Sequence, residues 1–330
     1  MVKVGINGFG RIGRAVFKIA QNSKLFEIVA INDITDAKTL AHLLKYDSVY
    51  GRFNADVKVS NDEIMVNDKK IRVFSISDPS QIPWDKLDVD IVIESSGKFT
   101  DRDNAIKHLR GSVKKVIITA PAKKEDITIV LGANEDKYNP KEHHIISNAS
   151  CTTNAFVLMV KVLHENFGIE RGLMTTVHSF TNDQRVHDLP HKDLRRARAA
   201  SLNIIPTSTG AATTIFKIYP ELEGKIDAIS LRVPTPTVSI VDFSAVLKRE
   251  VIKDEINSAF KNAQNKYIGY TDEPLVSSDF IGDERSVIVD GSLTQVVDKN
   301  FVKVFGWYDN EWGYSKRVVD LIEYIIERGL

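Results

Sequence analysis

Cysteine is almost absent from this sequence of 330 residues, which contains only Cys151. One thiol cannot form an internal disulfide bond, so the sequence carries no mark of an oxidising compartment. The first residues do not resemble a secretory signal, because a strand-like segment leads directly into glycines. No apolar run approaches the roughly 18 residues that suggest a membrane span. We therefore expect a cytoplasmic protein that does not enter a membrane.

The chain also has no excess of either charge. Lys and Arg together number 44, as do Asp and Glu, so the formal net charge is zero. Proteins whose main function is to bind nucleic acid usually show a basic excess, and this chain shows none. The sequence equally gives no support for a role at a membrane surface. A length of 330 residues suggests about two domains, at roughly 150 residues per domain.

In the first half of the chain, strand-like segments alternate with helical ones. Val2–Asn7 predicts a strand, 11–21 a helix and 27–32 a second strand. Continuous apolar runs such as 91–93 are typical of strands that helices cover on both faces. Further strands are predicted at 90–95, 115–119 and 144–148. This alternation favours an α/β domain built on a doubly wound parallel sheet.

The second half has a different pattern. A helix is predicted from 152 to about 166, ending at Gly168, which suits a left-handed cap. A polar, arginine-rich stretch follows at 179–201. Strands are predicted at 228–233, Ser239–Leu247, 286–290 and 302–307, and an amphipathic helix at 315–328. We expect an α+β domain with a mixed, largely antiparallel sheet.

A glycine-rich turn follows the first predicted strand. Gly8, Gly10 and Gly13 fit the motif G-x-G-x-x-G, and they lie between a strand and a helix as that motif requires. The first glycine permits the tight turn, the second lets backbone approach a pyrophosphate, and the third allows close helix–strand packing. Asp33 lies 20 residues after Gly13, where a carboxylate accepts hydrogen bonds from ribose hydroxyls and repels a 2′-phosphate. The motif predicts a Rossmann turn that binds NAD; a glycine turn without a nucleotide is the alternative.

Cys151 lies among polar residues where a predicted strand ends and a helix begins. The dipole and the free N–H groups of a helix N-terminus favour the thiolate form of a cysteine. An isolated free cysteine is more often an unreactive residue of the core, but the polar surroundings of Cys151 argue against that interpretation here. A cysteine nucleophile needs a base, and the imidazole of a residue such as His178 titrates near neutrality. The chain holds eight histidines, and spacing alone does not choose among them.

Several motifs, in the same order along nearly the whole chain, resemble those of the glyceraldehyde-3-phosphate dehydrogenase family. They are NGFGRIGR at 7–14, SNASCTTN at 147–154, TVHS at 176–179, DLPHKDLRRAR at 188–198, RVPTP at 232–236 and WYDNE at 307–311. The resemblance implies an oxidoreductase that uses NAD and inorganic phosphate to convert glyceraldehyde 3-phosphate into 1,3-bisphosphoglycerate. The implied intermediates are a hemithioacetal and then a thioester on Cys151.

The resemblance also implies roles for individual residues, with Cys151 as nucleophile and His178 as base. The implied cofactor-binding residues are Gly8, Gly10, Arg11, Ile12, Gly13, Asp33, Ser77, Thr119 and Asn310. The implied residues for the attacking inorganic phosphate are Ser150, Thr152, Thr209 and Gly210, and those for the substrate phosphate are Thr181, Arg196 and Arg232. Ser77 stands where many members have arginine, so we expect it to keep only a backbone contact with NAD.

The family further implies a Rossmann NAD-binding domain at 1–150 and 314–330, a catalytic domain at 151–313, and a homotetramer. We expect no metal site and no nucleic acid as a main partner. Two alternatives stay open: erythrose-4-phosphate dehydrogenase, which hydrolyses its thioester, and a non-enzymatic binding role. The segments TSTGAA at 207–212 and PTP at 234–236 are closer to the phosphorylating enzyme.

Overall fold

The computed structural model describes all 330 residues, which form two compact units. Unit 1 consists of Met1–Ile129, Asn134–Ala149 and Ser315–Leu330. Unit 2 consists of Val130–Ala133 and Ser150–Tyr314. Each unit is built on its own large sheet. None of the helices has the length and apolar character that crossing a membrane requires.

The chain forms nineteen strands and seven α-helices. In chain order they are β1 (Val2–Asn7), α1 (Arg11–Ala20), β2 (Phe26–Asn32), α2 (Ala37–Lys45), β3 (Tyr46–Asp47), β4 (Gly51–Arg52), β5 (Val57–Ser60), β6 (Glu63–Val66), β7 (Lys69–Phe74), β8 (Ile91–Glu94), α3 (Arg102–Ala105), β9 (Lys115–Ile118), β10 (Ile127–Thr128), β11 (Ile145–Ser147), α4 (Cys151–Phe167), β12 (Ile169–Ser179), β13 (Ile205–Ser208), α5 (Ala211–Ile218), β14 (Ile226–Val233), β15 (Ser239–Leu247), α6 (Lys253–Asn262), β16 (Ile268–Thr271), β17 (Val287–Asp290), β18 (Gln295–Val297), β19 (Phe301–Tyr308) and α7 (Trp312–Arg328).

The sheet of unit 1 has nine strands in the order β10-β11-β9-β8-β1-β2-β7-β6-β5. All its pairs are parallel except β5–β6 and β6–β7, which form an antiparallel edge. All four residues of β8 are buried, as its continuous apolar run predicts for a strand covered on both faces. These features confirm the predicted doubly wound α/β architecture.

Three strands of unit 1 bring polar side chains to one edge of the sheet. Asn7, the last residue of β1, pairs in register with Asn32 at the end of β2 and with Glu94 at the end of β8. All three side chains are buried. Ligands of open α/β sheets bind outside the carboxyl ends of the strands, so this edge is where a ligand site is expected.

The sheet of unit 2 has the order β13-β14-β12-β15-β19-β17-β16, with β18 also paired to β19. Only β12–β14 and β16–β17 are parallel, which confirms the predicted mixed, largely antiparallel sheet. Burial alternates along β15 from one residue to the next. One face of the sheet therefore forms the core of this unit, and α4 packs on it.

Helix α4 is the centre of unit 2. Its residues from Thr152 to Val160 are all buried, so core surrounds it on every side. It ends at Phe167, followed by Gly168 with a φ of 67°, a positive value that favours glycine. It begins at Cys151, one residue earlier than the sequence predicts, because the Ser150 hydroxyl caps it. The cysteine is therefore fixed at the first position of a rigid, buried helix.

Candidate active site

The backbone and side chain of Ser150 set the position of Cys151. The Ser150 hydroxyl accepts a hydrogen bond from the Thr153 N–H at 3.0 Å, which is a standard N-cap contact. The helix start favours the thiolate, but burial raises the pKa of the Cys151 thiol above its ordinary value. The positive charge of Arg232 opposes this rise without cancelling it. The tertiary environment thus reverses the direction that local sequence reasoning gives for this thiol.

The structure brings one histidine to the cysteine. Nε2 of His178, on β12, lies 3.5 Å from Sγ of Cys151. Histidines that compete for this role in the sequence have other partners: His164 contacts Glu221, and His143 accepts from the Asn139 N–H. The choice that spacing cannot make is therefore made by the tertiary structure.

The hydrogen-bond network assigns the tautomer of His178. Its Nδ1 lies 2.7 Å from the carbonyl oxygen of Ser179, which can only accept. The proton therefore resides on Nδ1, and Nε2 faces the thiol with a free lone pair. Burial and the charge of Arg232 lower the pKa of His178 to about 3. A neutral imidazole next to a protonated thiol is an arrangement in which the imidazole acts as a general base.

The guanidinium of Arg232, a partly buried residue, lies beside this pair. Nη1 of Arg232 is 3.3 Å from Oγ1 of Thr181 and 3.2 Å from Nδ1 of His178. Its Nε is buried and has no partner on the chain. Burial also lowers the pKa of Arg232, which shows that the charged form is poorly solvated. A buried donor that lacks an acceptor indicates a place for an acceptor ligand, and for guanidinium the fitting ligand is an oxyanion.

Arg196, the other arginine implied to hold the substrate phosphate, has a different environment. Its guanidinium forms ion pairs with Asp183 and, at 3.4 Å, with Asp193. Its charge still reaches Arg232, whose pKa it lowers. Two carboxylates already compensate Arg196, so an oxyanion gains less from it than from Arg232.

The residues implied for the attacking phosphate lie mainly at helix starts. Ser150 caps α4, and the Thr209 hydroxyl accepts from the Ala211 N–H at 3.3 Å where α5 begins. Gly210 is the exposed N-cap residue of α5, and α4 and α5 pack together. Helix N-termini attract anions through their dipoles and unpaired N–H groups. Thr152 differs, because its hydroxyl is buried and bonds the hydroxyl of Tyr308 at 2.9 Å.

Tyr308 is a component of the site to which sequence reasoning assigns no role. Its hydroxyl bonds both Thr152 and, at 2.8 Å, Thr176. Its ring stands edge-on to His178, with centroids 6.1 Å apart. The alternating pattern of β19 could have indicated an inward side chain here, but only strand pairing shows that it reaches the cysteine's helix.

Asn310 is held in one orientation by two serines. Its Oδ1 accepts from the hydroxyls of Ser179 at 2.9 Å and Ser239 at 3.0 Å. The Ser239 hydroxyl also accepts from the Ser179 N–H, so its single proton is directed to Asn310. The amide oxygen is thereby saturated, and Nδ2 is left as the donor that a ligand would meet.

In unit 1, a cleft of about 310 Å³ opens at the polar edge of the sheet. We call it the glycine-turn cleft. Its walls are Asn7, Gly8, Gly10, Asn32, Asp33, Ile34, Thr35, Ile76, Ser77, Ser95, Ser96, Lys98 and Phe99. Five of the implied cofactor residues are not among these walls: Arg11, Ile12, Gly13, Thr119 and Asn310. The guanidinium of Arg11 instead bonds Asp47 at 3.0 Å.

The three glycines of the turn meet different surroundings. Gly8 has a φ of 92°, and a Cβ there would collide with the backbone of Ser96. A Cβ on Gly13 would collide with the carbonyl oxygen of Gly8. A Cβ on Gly10 would meet nothing within 4 Å. Gly8 and Gly13 are therefore needed for close packing, whereas Gly10 leaves open space beside the first turn of α1, as close approach of a phosphate requires.

Asp33 is one of the walls of the glycine-turn cleft. One oxygen accepts from the Phe9 N–H at 2.7 Å and the other from the Thr35 N–H at 2.9 Å. Each carboxylate oxygen can accept a further hydrogen bond. The side chain is thus fixed by backbone and still able to accept from the hydroxyls of a ribose.

Two family models match the sequence. The one described as "Glyceraldehyde 3-phosphate dehydrogenase, NAD binding domain" matches residues 2–102. The one described as "Glyceraldehyde 3-phosphate dehydrogenase, C-terminal domain" matches residues 150–310.

Individual relatives match the chain over its length. It is 58% identical to glyceraldehyde-3-phosphate dehydrogenase of Geobacillus stearothermophilus, with 100% of this chain and 99% of that protein covered. It is 56% identical to glyceraldehyde-3-phosphate dehydrogenase 1 of Bacillus subtilis (strain 168), with the same coverage. It is also 56% identical to glyceraldehyde-3-phosphate dehydrogenase 2 of Streptomyces avermitilis, with 98% of each chain covered. Identity at this level along the full length leaves one conclusion: the chain belongs to the glyceraldehyde-3-phosphate dehydrogenase family.

Proposed function

We propose that this protein oxidises glyceraldehyde 3-phosphate with NAD and inorganic phosphate to give 1,3-bisphosphoglycerate. The observation that carries the proposal is the 3.5 Å contact between Sγ of Cys151 and Nε2 of His178. A thiol next to a neutral imidazole can be deprotonated at the moment of attack. The relatives described above are all named glyceraldehyde-3-phosphate dehydrogenase, which supports the substrate and the reaction type.

In the first step, Nε2 of His178 takes the thiol proton as Sγ of Cys151 attacks the aldehyde carbon. His178 returns that proton to the former carbonyl oxygen, which gives the hydroxyl of a hemithioacetal on the cysteine, and then removes it again as base in the oxidation. NAD, when bound, would supply the hydride acceptor for this oxidation, and loss of the hydride would leave a thioester on Cys151. Attack of phosphate on the thioester releases the acyl phosphate and restores the thiol. The covalent intermediate is needed because the thioester retains the energy of oxidation until phosphate arrives.

We assign the substrate phosphate to Arg232 and Thr181, with a smaller part for Arg196. The support is the buried, unpartnered Nε of Arg232 and its contact with Thr181. We assign the attacking phosphate to Ser150, Thr209 and Gly210 at the starts of α4 and α5, and Thr152 would join them only after its hydroxyl turns from Tyr308. Thr209→Ala should raise the KM for phosphate more than the KM for the aldehyde.

We propose that unit 1 is the NAD-binding domain and that unit 2 is the catalytic domain. The match of the NAD-binding family model to residues 2–102 supports the first assignment. The open space at Gly10 fits a pyrophosphate, and the remaining lone pairs of Asp33 fit ribose hydroxyls. Ser77 lines the cleft with a short side chain, so its contact with NAD is assigned to its backbone. In unit 2, Nδ2 of Asn310 is a donor for a carboxamide oxygen such as that of nicotinamide.

Phosphate dependence tests the proposed reaction against the hydrolytic alternative. Sustained NAD reduction with glyceraldehyde 3-phosphate should require phosphate, and arsenate should replace it. Without either anion, one NADH per active Cys151 should form in a burst, followed by slow hydrolysis. Rapid turnover without phosphate, with erythrose 4-phosphate preferred as substrate, would assign the chain to erythrose-4-phosphate dehydrogenase instead. No observation favours that alternative or a binding role without catalysis.

We also propose a homotetramer in the cytoplasm. The outer face of the unit 2 sheet supports self-association, since Leu173 is 70% exposed, Ile229 50% and Phe301 45%. Large exposed apolar patches are typical of surfaces that bind another protein. Light scattering during gel filtration should give a mass near four chains of 37.0 kDa each. Cell fractionation tests the location.

A further inference from the structure

A buried polar group lies behind the glycine-turn cleft, and neither the reaction nor the resemblance gives it a role. Glu94 is 2% exposed, and His108 and Trp84 are completely buried. None of the three is a wall of the cleft. Burial of a carboxylate is costly unless it is fully hydrogen-bonded, so its partners are informative.

Four donors converge on the carboxylate of Glu94. Its Oε2 accepts from Nδ2 of Asn7 at 2.5 Å and from Nε2 of His108 at 3.1 Å. Its Oε1 accepts from Ser96, both from the N–H at 2.9 Å and from the hydroxyl at 2.5 Å. Two of these partners, Asn7 and Ser96, are walls of the cleft. One carboxylate therefore holds two walls of the cleft in fixed positions.

Trp84 determines which nitrogen of His108 carries the proton. The indole Nε1 lies 3.1 Å from Nδ1 of His108. An indole N–H can only donate, so Nδ1 is the acceptor and the proton of the neutral ring is on Nε2. His108 therefore donates to Glu94 without needing to be charged. Gly5 makes room for this arrangement, since a Cβ there would meet the Trp84 ring at 2.6 Å.

The same chain of hydrogen bonds continues along the floor of the cleft. Oδ1 of Asn7 accepts from Nδ2 of Asn32 at 2.7 Å. Asn32 in turn donates to the Ile76 carbonyl at 2.9 Å and accepts from the Ile76 N–H at 3.0 Å. Every donor and acceptor in this series is fixed by the one before it, beginning at the indole. Both asparagine amides are thereby locked in a single orientation.

We propose that Glu94 and His108 are positioning residues for NAD, which act through Asn7, Asn32 and Ser96. The inference rests on the proposed NAD site in unit 1. The carboxylate can only accept hydrogen bonds. It therefore holds the amide of Asn7 and the hydroxyl of Ser96 in a single orientation. Without it, the walls of the cleft lose their fixed geometry, and NAD must order them as it binds, which weakens binding.

The test uses variants of similar shape with different hydrogen-bonding capacity. Glu94→Gln places an NH2 group among four hydrogen-bond donors, so at least one of those donors faces another donor. His108→Leu removes both ring nitrogens. His108→Gln is the rescue variant, since its amide can donate to Glu94 and accept from Trp84. Ile82→Val, in the buried core of the same unit, is a control for lost packing, and Ser112→Ala is a control for a lost hydrogen bond, to the Val89 carbonyl.

Calorimetric titration of each full-length variant with NAD gives the dissociation constant, and steady-state kinetics give KM for NAD and for the aldehyde. A hydrogen bond to a charged group corresponds to roughly tenfold or more in an equilibrium constant. Glu94→Gln and His108→Leu should therefore raise the NAD dissociation constant about tenfold, with the KM for aldehyde within about twofold of wild type. His108→Gln should recover most of the affinity, and both controls should bind NAD as wild type does.

The proposal is overturned if Glu94→Gln and His108→Leu bind NAD as tightly as wild type. It is also overturned if Ile82→Val, at the same loss of thermal stability as these two variants, weakens NAD binding as much as they do. Trp84→Phe removes the indole donor and keeps the ring, so it serves if the first two variants do not fold. It should weaken NAD binding by about threefold, because a hydrogen bond between neutral groups contributes less than one to a charged group. Unchanged NAD binding in Trp84→Phe would also overturn the proposal. Failure of wild type to bind NAD would instead reject the proposed site itself.

Discussion

Arg232→Met removes the guanidinium while keeping much of its apolar stem. The side chain of Arg232 contacts Thr181 and His178, and its charge lowers the pKa of both the Cys151 thiol and the His178 imidazole. Methionine fills the space without the charge or the donors. We therefore expect two separable effects, one on the use of the phosphorylated substrate and one on the titration of the thiol.

The binding effect follows from the donors that the substitution removes. Hydrogen bonds between arginine and phosphate contribute about 1.5–3 kcal/mol each. Nε of Arg232 has no partner on the chain, so it loses no internal bond when it binds an oxyanion. Loss of one such contact corresponds to about tenfold to a hundredfold in kcat/KM for glyceraldehyde 3-phosphate. Oxidation of unphosphorylated glyceraldehyde should change much less, because it carries no phosphate.

The titration effect has a definite sign. The cation favours the thiolate, so its removal raises the pKa of Cys151 further, and alkylation by iodoacetamide should shift to higher pH. Arg196→Met is the matched control, since the carboxylates of Asp183 and Asp193 already pair with that guanidinium. It should have a smaller effect in both assays. An unchanged alkylation profile in Arg232→Met, or an equal loss with both aldehydes, would refute this reasoning.

Three further changes test other parts of the site. Cys151→Ser should abolish oxidation while calorimetry still detects NAD binding, and full activity in this variant would exclude the cysteine as nucleophile. Wild type should use NADP much less well than NAD, because the Asp33 carboxylate repels a 2′-phosphate. Asp33→Gly should reduce the difference in kcat/KM between the two cofactors. Equal kcat/KM for both cofactors in wild type would contradict this role of Asp33. Ser150→Ala removes the N-cap of α4 and should lower the free energy of unfolding by about 1 kcal/mol in a denaturant titration, whereas an unchanged midpoint would show that the cap contributes nothing.

The sequence by itself was sufficient for features that are local. The predicted strand Ser239–Leu247 agrees with β15 at both ends, because its alternating pattern matches the two faces of a half-buried strand. The glycine turn is also predictable from sequence, because the positive φ of Gly8 and the clash of a Cβ on Gly13 with the Gly8 carbonyl oxygen both arise within the turn. Local pattern failed for β12, whose first half carries Glu170, Arg171 and Gly172 and whose pairing with β14 and β15 is entirely non-local.

Only the tertiary structure decided what depends on contacts between distant residues. Local reasoning placed Cys151 at a helix start and expected a favoured thiolate, but burial among side chains from other elements raises the pKa of that thiol. The resemblance assigns the arginines at 196 and 232 to the same phosphate, and only the tertiary structure shows that Arg196 is already paired with Asp183. No sequence pattern indicates the role of Glu94 and His108. Apart from the local bonds between Glu94 and Ser96, the hydrogen bonds that define their role join residues 14 to 87 positions apart, and such bonds exist only once the strands have assembled.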